Sequence, residues 1–128
     1  MSTTPGHTAN HQALNDLVRD SEAKWRALTE HSPNNIMLLD TDGTILFINH
    51  SFPGLTTEQI LGTSVYDYLS EANNHIAQQT YLQVLDSGEP SQYETIVTDN
   101  DGVRRHCIRL VYPVTVGKKI VALIEDAQ

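Results

Sequence analysis

Apolar residues recur along this chain with two periods, one helical and one extended. The helical period predicts three helices, at residues 10–30, 56–61 and 70–87. The period of two, with turn residues between the runs, predicts five β-strands, at residues 35–40, 44–49, 92–98, 103–114 and 119–125. Two of the helices stand between the second and the third strand. This order predicts an α+β fold built on antiparallel hairpins.

The strand predicted at residues 103–114 has apolar residues on both of its faces. One set of alternate positions carries Ile108, Leu110 and Tyr112, and the other set, which includes Arg109, is mixed. A sheet with one face in water would instead alternate apolar and polar residues. We therefore expect this strand to lie centrally, with material packed on each side of the sheet.

Composition restricts the partners of the chain. The 128 residues suit one domain, and the net charge of −8, from 16 acidic and 8 basic residues, disfavours nucleic acid as a partner. The lone Cys107 cannot form an internal disulfide, which fits a cytoplasmic location. No apolar run approaches the roughly 20 residues that span a bilayer, so we expect no membrane contact. Residues 1–9, rich in Ser, Thr, Gly and Pro, are expected to be disordered.

Six short segments occur in an order and spacing that is typical of one known family. They are Ser21–Leu28, Asp40–Gly43, Glu58–Gly62, Gly88–Pro90, Asp101–Gly102 and Val111–Val114. Together they resemble a PAS domain of the sensory-box type. The resemblance implies a five-stranded antiparallel sheet in the order 2-1-5-4-3, with helices over one face and the N-terminal helix on the other. It divides the chain into a terminus at residues 1–9, an amphipathic helix at residues 10–32 and a PAS core at residues 33–128.

The resemblance also implies a function. PAS domains are sensor or dimerisation modules of multidomain signalling proteins, among them the histidine kinases of two-component systems, and Asp126 resembles the acidic residue that precedes the linker to an output domain. A small ligand would bind in the cleft between the sheet and the long helix. By this resemblance the cleft is lined by Met37, Leu39, Ile48, Ile76, Thr80, Tyr81, Tyr93, Thr95, Val97, Cys107, Arg109, Val111 and Ile124.

The other face of the sheet would carry more apolar side chains than the first helix can cover, and we expect a homodimer to share them. The predicted docking residues of the helix and of this face are Leu14, Leu17, Val18, Trp25, Leu28, Ile108, Leu110, Tyr112, Val121 and Leu123. A module that only assembles, with a packed core and no ligand, is the alternative function.

Arg109 is the strongest chemical signal in the predicted cleft. A buried guanidinium needs a partner, because a lone buried charge costs several kcal/mol. A small anionic ligand is one such partner, with Tyr81, Tyr93 or Thr95 assisting, since arginine suits a carboxylate. The alternative is an internal pair with an acid such as Asp67 or Glu71, or a position at the wet rim of the cleft, and this alternative is favoured over the ligand. If the inward face of this strand were assigned from its apolar residues alone, Arg109 would face solvent.

Haem and flavin are weaker alternatives. Some PAS domains bind haem through a histidine on the long helix, but His75 falls off the apolar stripe of that helix, which favours an exposed side chain. Light-sensing relatives need a cysteine in the segment corresponding to Val65–Leu69 and a glutamine on the last strand, where Ile124 stands by resemblance. Cys107 fits a small core residue. No set of nucleophile, base and oxyanion donors and no zinc spacing is found, so the chain is expected to be regulatory and not an enzyme.

Overall fold

The computed structural model describes residues 23–24, 26–98 and 101–128. Its elements are β1 (Asn35–Asp40), β2 (Ile45–Ile48), α1 (Thr57–Ile60), a 3-10 turn (Val65–Tyr68), α2 (Glu71–Ser87), β3 (Ser91–Thr98), β4 (Arg104–Val116) and β5 (Lys119–Ala127). All neighbouring strands pair antiparallel, in the order β2-β1-β5-β4-β3. The α+β class and the strand order confirm the prediction.

Both helices begin at the side chains that the sequence marks as caps. Ser70 accepts a hydrogen bond from the backbone N–H of Asn73 and starts α2. Thr56 and Gln59 form a reciprocal capping box at α1. Gly88 ends α2 in the left-handed conformation, at φ 73°, which glycine adopts without strain. Local sequence therefore determines where the helices begin and where α2 ends.

The main core lies between α2 with its neighbouring segments and one side of the sheet, which we name the inner face. From α2 it takes Ala77, Tyr81 and Val84. The other buried members are Met37, Leu39, Ile45, Ile48, Ile60, Val65, Tyr93, Val111 and Leu123. Burial of a large apolar side chain stabilises the fold by about 1.5–3 kcal/mol, so this cluster supplies most of the driving force that holds the helices on the sheet.

A β-bulge sets which residues of β5 face inward. At the hairpin end Val116 pairs with Lys119, and this register, continued without a break, would put Ile124 opposite Val111. Thr115 still follows this register and pairs with Ile120, but Val114 pairs with Ala122. The bulge therefore accommodates one extra residue of β5, Val121, and moves the pairing beyond it by one residue. Glu125, not Ile124, therefore lies opposite Val111.

Two predicted placements on β5 are corrected by this shift. Leu123, predicted for the outer face, is fully buried in the main core, and Ile124, predicted for the cleft, packs on the second core cluster. Val121 belongs to that second cluster, as predicted for the outer face, together with Leu38, Phe47 and Ala122. The alternation of apolar and polar residues does not indicate this shift, because β5 is apolar at both sets of positions from Ile120 to Ile124.

The second cluster marks the outer face of the sheet, and the end of the N-terminal helix reaches it. Residues 26–29 are helical, and the guanidinium carbon of Arg26 lies 5.5 Å from the centre of the Phe47 ring. Leu28, a predicted docking residue, is 76% exposed and so does not cover the sheet of its own chain. Arg26 and the buried Thr29 are the residues of this turn that approach the sheet.

The remaining docking residues separate into two groups. Leu14, Leu17, Val18 and Trp25 lie outside the described residues. On β4 the side chains of Ile108 and Tyr112 are exposed and that of Leu110 is half-buried, so the outer face keeps apolar surface at this end. Whether a second subunit covers this surface stays a prediction.

Candidate functional site

A carboxylate lies at the centre of the inner face. Glu125 is fully buried, and its neighbours across the sheet are Met37 on β1 and Val111 on β4, both buried and apolar. Removal of a carboxylate from water costs several kcal/mol unless donors replace the lost hydration. The side chains around Glu125 supply those donors.

Two tyrosines donate to the same oxygen of Glu125. The hydroxyl of Tyr81, from α2, lies 2.6 Å from Oε1, and that of Tyr93, from β3, lies 2.5 Å from it. Each phenol has one proton, so when both protons go to Glu125 neither is left for the 3.2 Å contact between the two hydroxyl oxygens. The rings meet edge to face, with centres 6.1 Å apart. The two phenols thus join α2 and β3 through one acceptor on β5.

Arg109 supplies the counter-charge. Its Nη1 donates to Oε2 of Glu125 over 3.1 Å, and its Nε donates to the hydroxyl of the buried Thr95, also over 3.1 Å. The Arg109 side chain is 14% exposed, whereas that of Glu125 is fully enclosed. The guanidinium therefore extends from the buried carboxylate towards the rim of the cleft. We name Tyr81, Tyr93, Thr95, Arg109 and Glu125 the Glu125 cluster.

Electrostatics in the cluster favour a neutral phenol and a charged guanidinium. Burial, and then the nearby charge of Glu125, raise the pKa values of Tyr81 and Tyr93 far above the ordinary value for tyrosine. Burial, the largest single effect, lowers the pKa of Arg109, but the charges of Glu125, Tyr93 and Cys107 and the hydrogen bond to Glu125 together outweigh it, and the pKa is raised. Both tyrosines therefore stay protonated and act as donors to Glu125.

Most predicted cleft residues meet at this cluster or in the core beside it. Met37, Leu39, Ile48, Tyr81, Tyr93 and Val111 belong to the main core cluster, and Thr80 and Thr95 are buried. Thr80 gives its hydroxyl proton to the backbone carbonyl of Ile76. Cys107 is a half-buried free thiol opposite Thr95.

Three predicted cleft residues are not in the cleft. Ile76 and Val97 are exposed, because Ile76 lies beside the inward stripe of α2 and Val97 lies towards the end of the edge strand β3. Ile124 is on the outer face for the reason given above. His75 is exposed on α2. Of the two partners considered for Arg109, the internal acid is present, but it is Glu125 rather than Asp67 or Glu71.

Glu125 is the residue that sequence reasoning missed. Its only signal was an acid next to a run of five apolar residues in the last strand, which is also how a strand end at the surface looks. Within the described residues no group of three or more His, Cys, Asp or Glu side chains could hold a metal ion. None of the helices described here has the length and apolar character that a membrane span needs.

Comparison with known proteins decides the family. A family model described as the PAS fold matches residues 29–128. The chain belongs to the PAS family. No curated protein matches its sequence.

Solved structures share the fold at low sequence identity. The PAS domain of an HTR-like protein from Haloarcula marismortui is 20% identical, with a TM-score of 0.59, and the match covers 91% of this chain and 98% of that one. The PAS domain of Bordetella pertussis BvgS is 22% identical, with a TM-score of 0.66, over 84% and 85%. Vibrio cholerae VqmA is 20% identical, with a TM-score of 0.66, over 82% and 51%. VqmA also matches in a structure bound to DPO.

The PAS fold accounts for the geometry of the site. α2 is the long helix over the inner face, and the Glu125 cluster occupies the space between that helix and the sheet. Because the bulge in β5 brings an acid into this space, the cleft of this PAS domain contains the charged pair of Arg109 and Glu125. The chain is thus a PAS sensory domain with a buried ion pair at the centre of its inner face.

Proposed function

We propose that this PAS domain is the cytoplasmic sensory module of a multidomain signal-transduction protein, and specifically of a sensor histidine kinase. Its ligand binds at the Glu125 cluster. The chain itself is regulatory, and an output domain is joined after β5. Family membership supports the sensory role. The observation that carries the site is the buried charged pair of Arg109 and Glu125 beside the main apolar core.

Energetics favour a role for this pair beyond stability. A buried ion pair is a poor way to stabilise a core, because well-packed apolar residues of similar volume often do as well or better by about 1–4 kcal/mol. Here two phenols also donate to Glu125, and the hydroxyl of Thr95 accepts a hydrogen bond from Arg109. So many aligned donors around one carboxylate make a site that is already organised to bind an anion.

The proposed ligand is a small carboxylate that competes with Glu125. Arg109, Tyr81 and Tyr93 would donate to the carboxylate of the ligand as they now donate to that of Glu125. Displacement of Glu125 would release the end of β5, and the movement would pass to the outer face and to the segments joined to it. A likeness in fold to VqmA, which has been solved with DPO bound, is compatible with a small ligand in this space.

Native mass spectrometry of the purified chain tests this proposal. We expect a bound small acid that dissociates on denaturation, and we expect its loss in Tyr93→Phe, which lacks one donor. Tyr112→Phe is the matched control, because it removes an exposed phenol from the outer face of the neighbouring strand. If no mass is retained, and no small carboxylate raises the melting temperature of the wild type, the proposed ligand is wrong.

A second candidate function is a ligand-free assembly module that forms a homodimer. The specific observation is the combination of a fully enclosed Glu125 with exposed apolar side chains at Ile108 and Tyr112 on the outer face. Light scattering of Ile108→Glu tests it, with Leu82→Glu as control, because Leu82 is an exposed apolar residue on α2. A dimer that Ile108→Glu dissociates and Leu82→Glu leaves intact would support assembly. A wild-type monomer at high concentration would exclude it.

A further inference from the structure

The side chain of Asn49 connects the N-terminal helix to the sheet. Asn49 follows β2 and is only 8% exposed. Its Nδ2 donates to the backbone carbonyl of Thr29, at the end of the helix, and to that of Asn34, next to β1, over 2.9 Å in both cases. Its Oδ1 accepts from the backbone N–H of Ile36 on β1 over 2.8 Å. One amide group thus joins the end of the helix, the start of β1 and the end of β2.

His50 adds a contact to the middle of the same connection, residues 30–34, which we name the junction. Its Nε2 lies 2.8 Å from the backbone carbonyl of Ser32. Because a carbonyl only accepts, this nitrogen carries the proton and donates. The backbone N–H of Ser32 in turn donates to the carbonyl of Thr29 over 3.0 Å. The junction is therefore bound along its length, which limits how far the helix can move independently of β1.

Asn49 also lies next to the strand pairing that contains Glu125. Both backbone groups of Ile36 are bonded to Asn49, since the backbone N–H of Asn49 donates to the carbonyl of Ile36 over 3.1 Å. Across the sheet Ile36 is opposite Asp126, and the next residue, Met37, is opposite Glu125. A displacement of this part of β5 would therefore act on the residue of β1 that Asn49 binds.

We propose that Asn49 is the positioning residue through which a movement at Glu125 reaches the N-terminal helix. The inference rests on the proposed function for its input, because displacement of Glu125 by a ligand is the event that moves β5. It adds a path towards the N-terminal side of the chain, in which a shift of β1 changes the position of the helix. Spatial proximity alone does not establish such a path, so the experiments measure the coupling itself.

The ordinary explanation for Asn49 is a structural one, because buried backbone carbonyls need donors wherever they occur. Asn74 has that role elsewhere, since its Nδ2 donates to the backbone carbonyl of Tyr66 over 3.1 Å. Asn74→Asp is therefore the matched control for Asn49→Asp. The substitution at Asn49 is selective, because a carboxylate oxygen still accepts from Ile36 whereas both donors to the carbonyls of the helix end and the junction are lost.

Hydrogen exchange of backbone amides, followed by NMR of the ¹⁵N-labelled chain, tests the hold on the junction. We expect Asn49→Asp to raise the exchange rate of the Ser32 amide about tenfold, the effect of two lost hydrogen bonds on local opening, and to change Ile36 less. Asn74→Asp should leave the Ser32 amide unchanged. If Asn49→Asp fails to fold, His50→Ala replaces it in both experiments and should raise the same rate about fivefold, because it removes one bond.

Amide chemical shifts of a second set of variants test the path without any ligand. Tyr93→Phe removes one donor from Glu125 on the inner face, which the sheet separates from the helix. We expect it to shift the amides of residues 26–29, and we expect those shifts to disappear when Asn49→Asp is added.

Three results would each overturn the inference: an unchanged Ser32 exchange rate in Asn49→Asp, shifts at residues 26–29 that persist in the double variant, or no shifts there in Tyr93→Phe. An equal rise of the Ser32 rate in Asn74→Asp would show a general loss of stability and would overturn it too. Because neither experiment contains a ligand, failure of the proposed carboxylate to bind would refute the proposed function and leave these results standing.

Discussion

Neutralising the buried carboxylate should be among the most damaging single changes in this chain. Glu125→Gln keeps the size of the side chain but removes the charge that Arg109 faces across 3.1 Å. Loss of one partner from a buried pair costs about 3–5 kcal/mol, because the other charge stays buried without compensation. Since Arg109 is 14% exposed and can recover some hydration, we expect the lower part of this range, about 3 kcal/mol.

Urea unfolding followed by far-ultraviolet circular dichroism measures this free energy. The decisive comparison is the double variant Glu125→Leu with Arg109→Met, which replaces the pair by apolar side chains of similar size. It should recover part of the loss, because no charge is then left buried, whereas Tyr81 and Tyr93 lose their shared acceptor and keep only the contact between their two hydroxyls. A loss below about 0.5 kcal/mol in Glu125→Gln, the size of an ordinary surface substitution, would refute the reasoning. So would a double variant that is less stable than either single one.

Two further predictions concern stability. Because the pKa values of Tyr81 and Tyr93 are raised, their stabilising contribution is complete below about pH 10, the pKa of a phenol in an unfolded chain, and is lost as the pH rises further, by up to about 1.4 kcal/mol per pH unit for each phenol. Urea unfolding at increasing pH, with phenolate absorbance as the second probe, should show this decline, and Tyr93→Phe should reduce its slope; an unchanged slope would contradict the assignment. Gly43→Ala should destabilise more than Gly62→Ala in thermal unfolding, because both glycines have positive φ, a cost of about 1–2 kcal/mol, but only at Gly43 would the added carbon lie 2.9 Å from the ring of Tyr66. Equal losses would show that the ring moves aside freely.

The sequence predicted those parts of the fold that depend on local chemistry. Ser70 and Gly88 bound α2 because a hydroxyl cap and a left-handed glycine are local requirements. The two apolar faces of the strand containing Arg109 correctly predicted an interior strand, since β4 pairs with both β3 and β5. The order of short segments was sufficient for the family.

The centre of the site depended on a feature that the sequence does not mark. The bulge between Val114 and Thr115 moves the pairing of β5 by one residue and exchanges Ile124 for Glu125 on the inner face. All residues from Ile120 to Ile124 are apolar, so each register buries a similar amount of apolar surface. For Arg109 an internal acid or a wet rim of the cleft was favoured over a ligand, but the identity of the acid required the register.

At the end of β5 two acidic residues stand next to each other and point in opposite directions. Glu125 is enclosed on the inner face, while Asp126, opposite Leu110 and Ile36, belongs to the outer one. Successive side chains of a strand are linked by rigid, planar peptide units, so a shift of the strand moves both carboxylates together. The shortest route between the two sides of this sheet is thus a single peptide bond, and a signal that crosses there needs no relay of side chains.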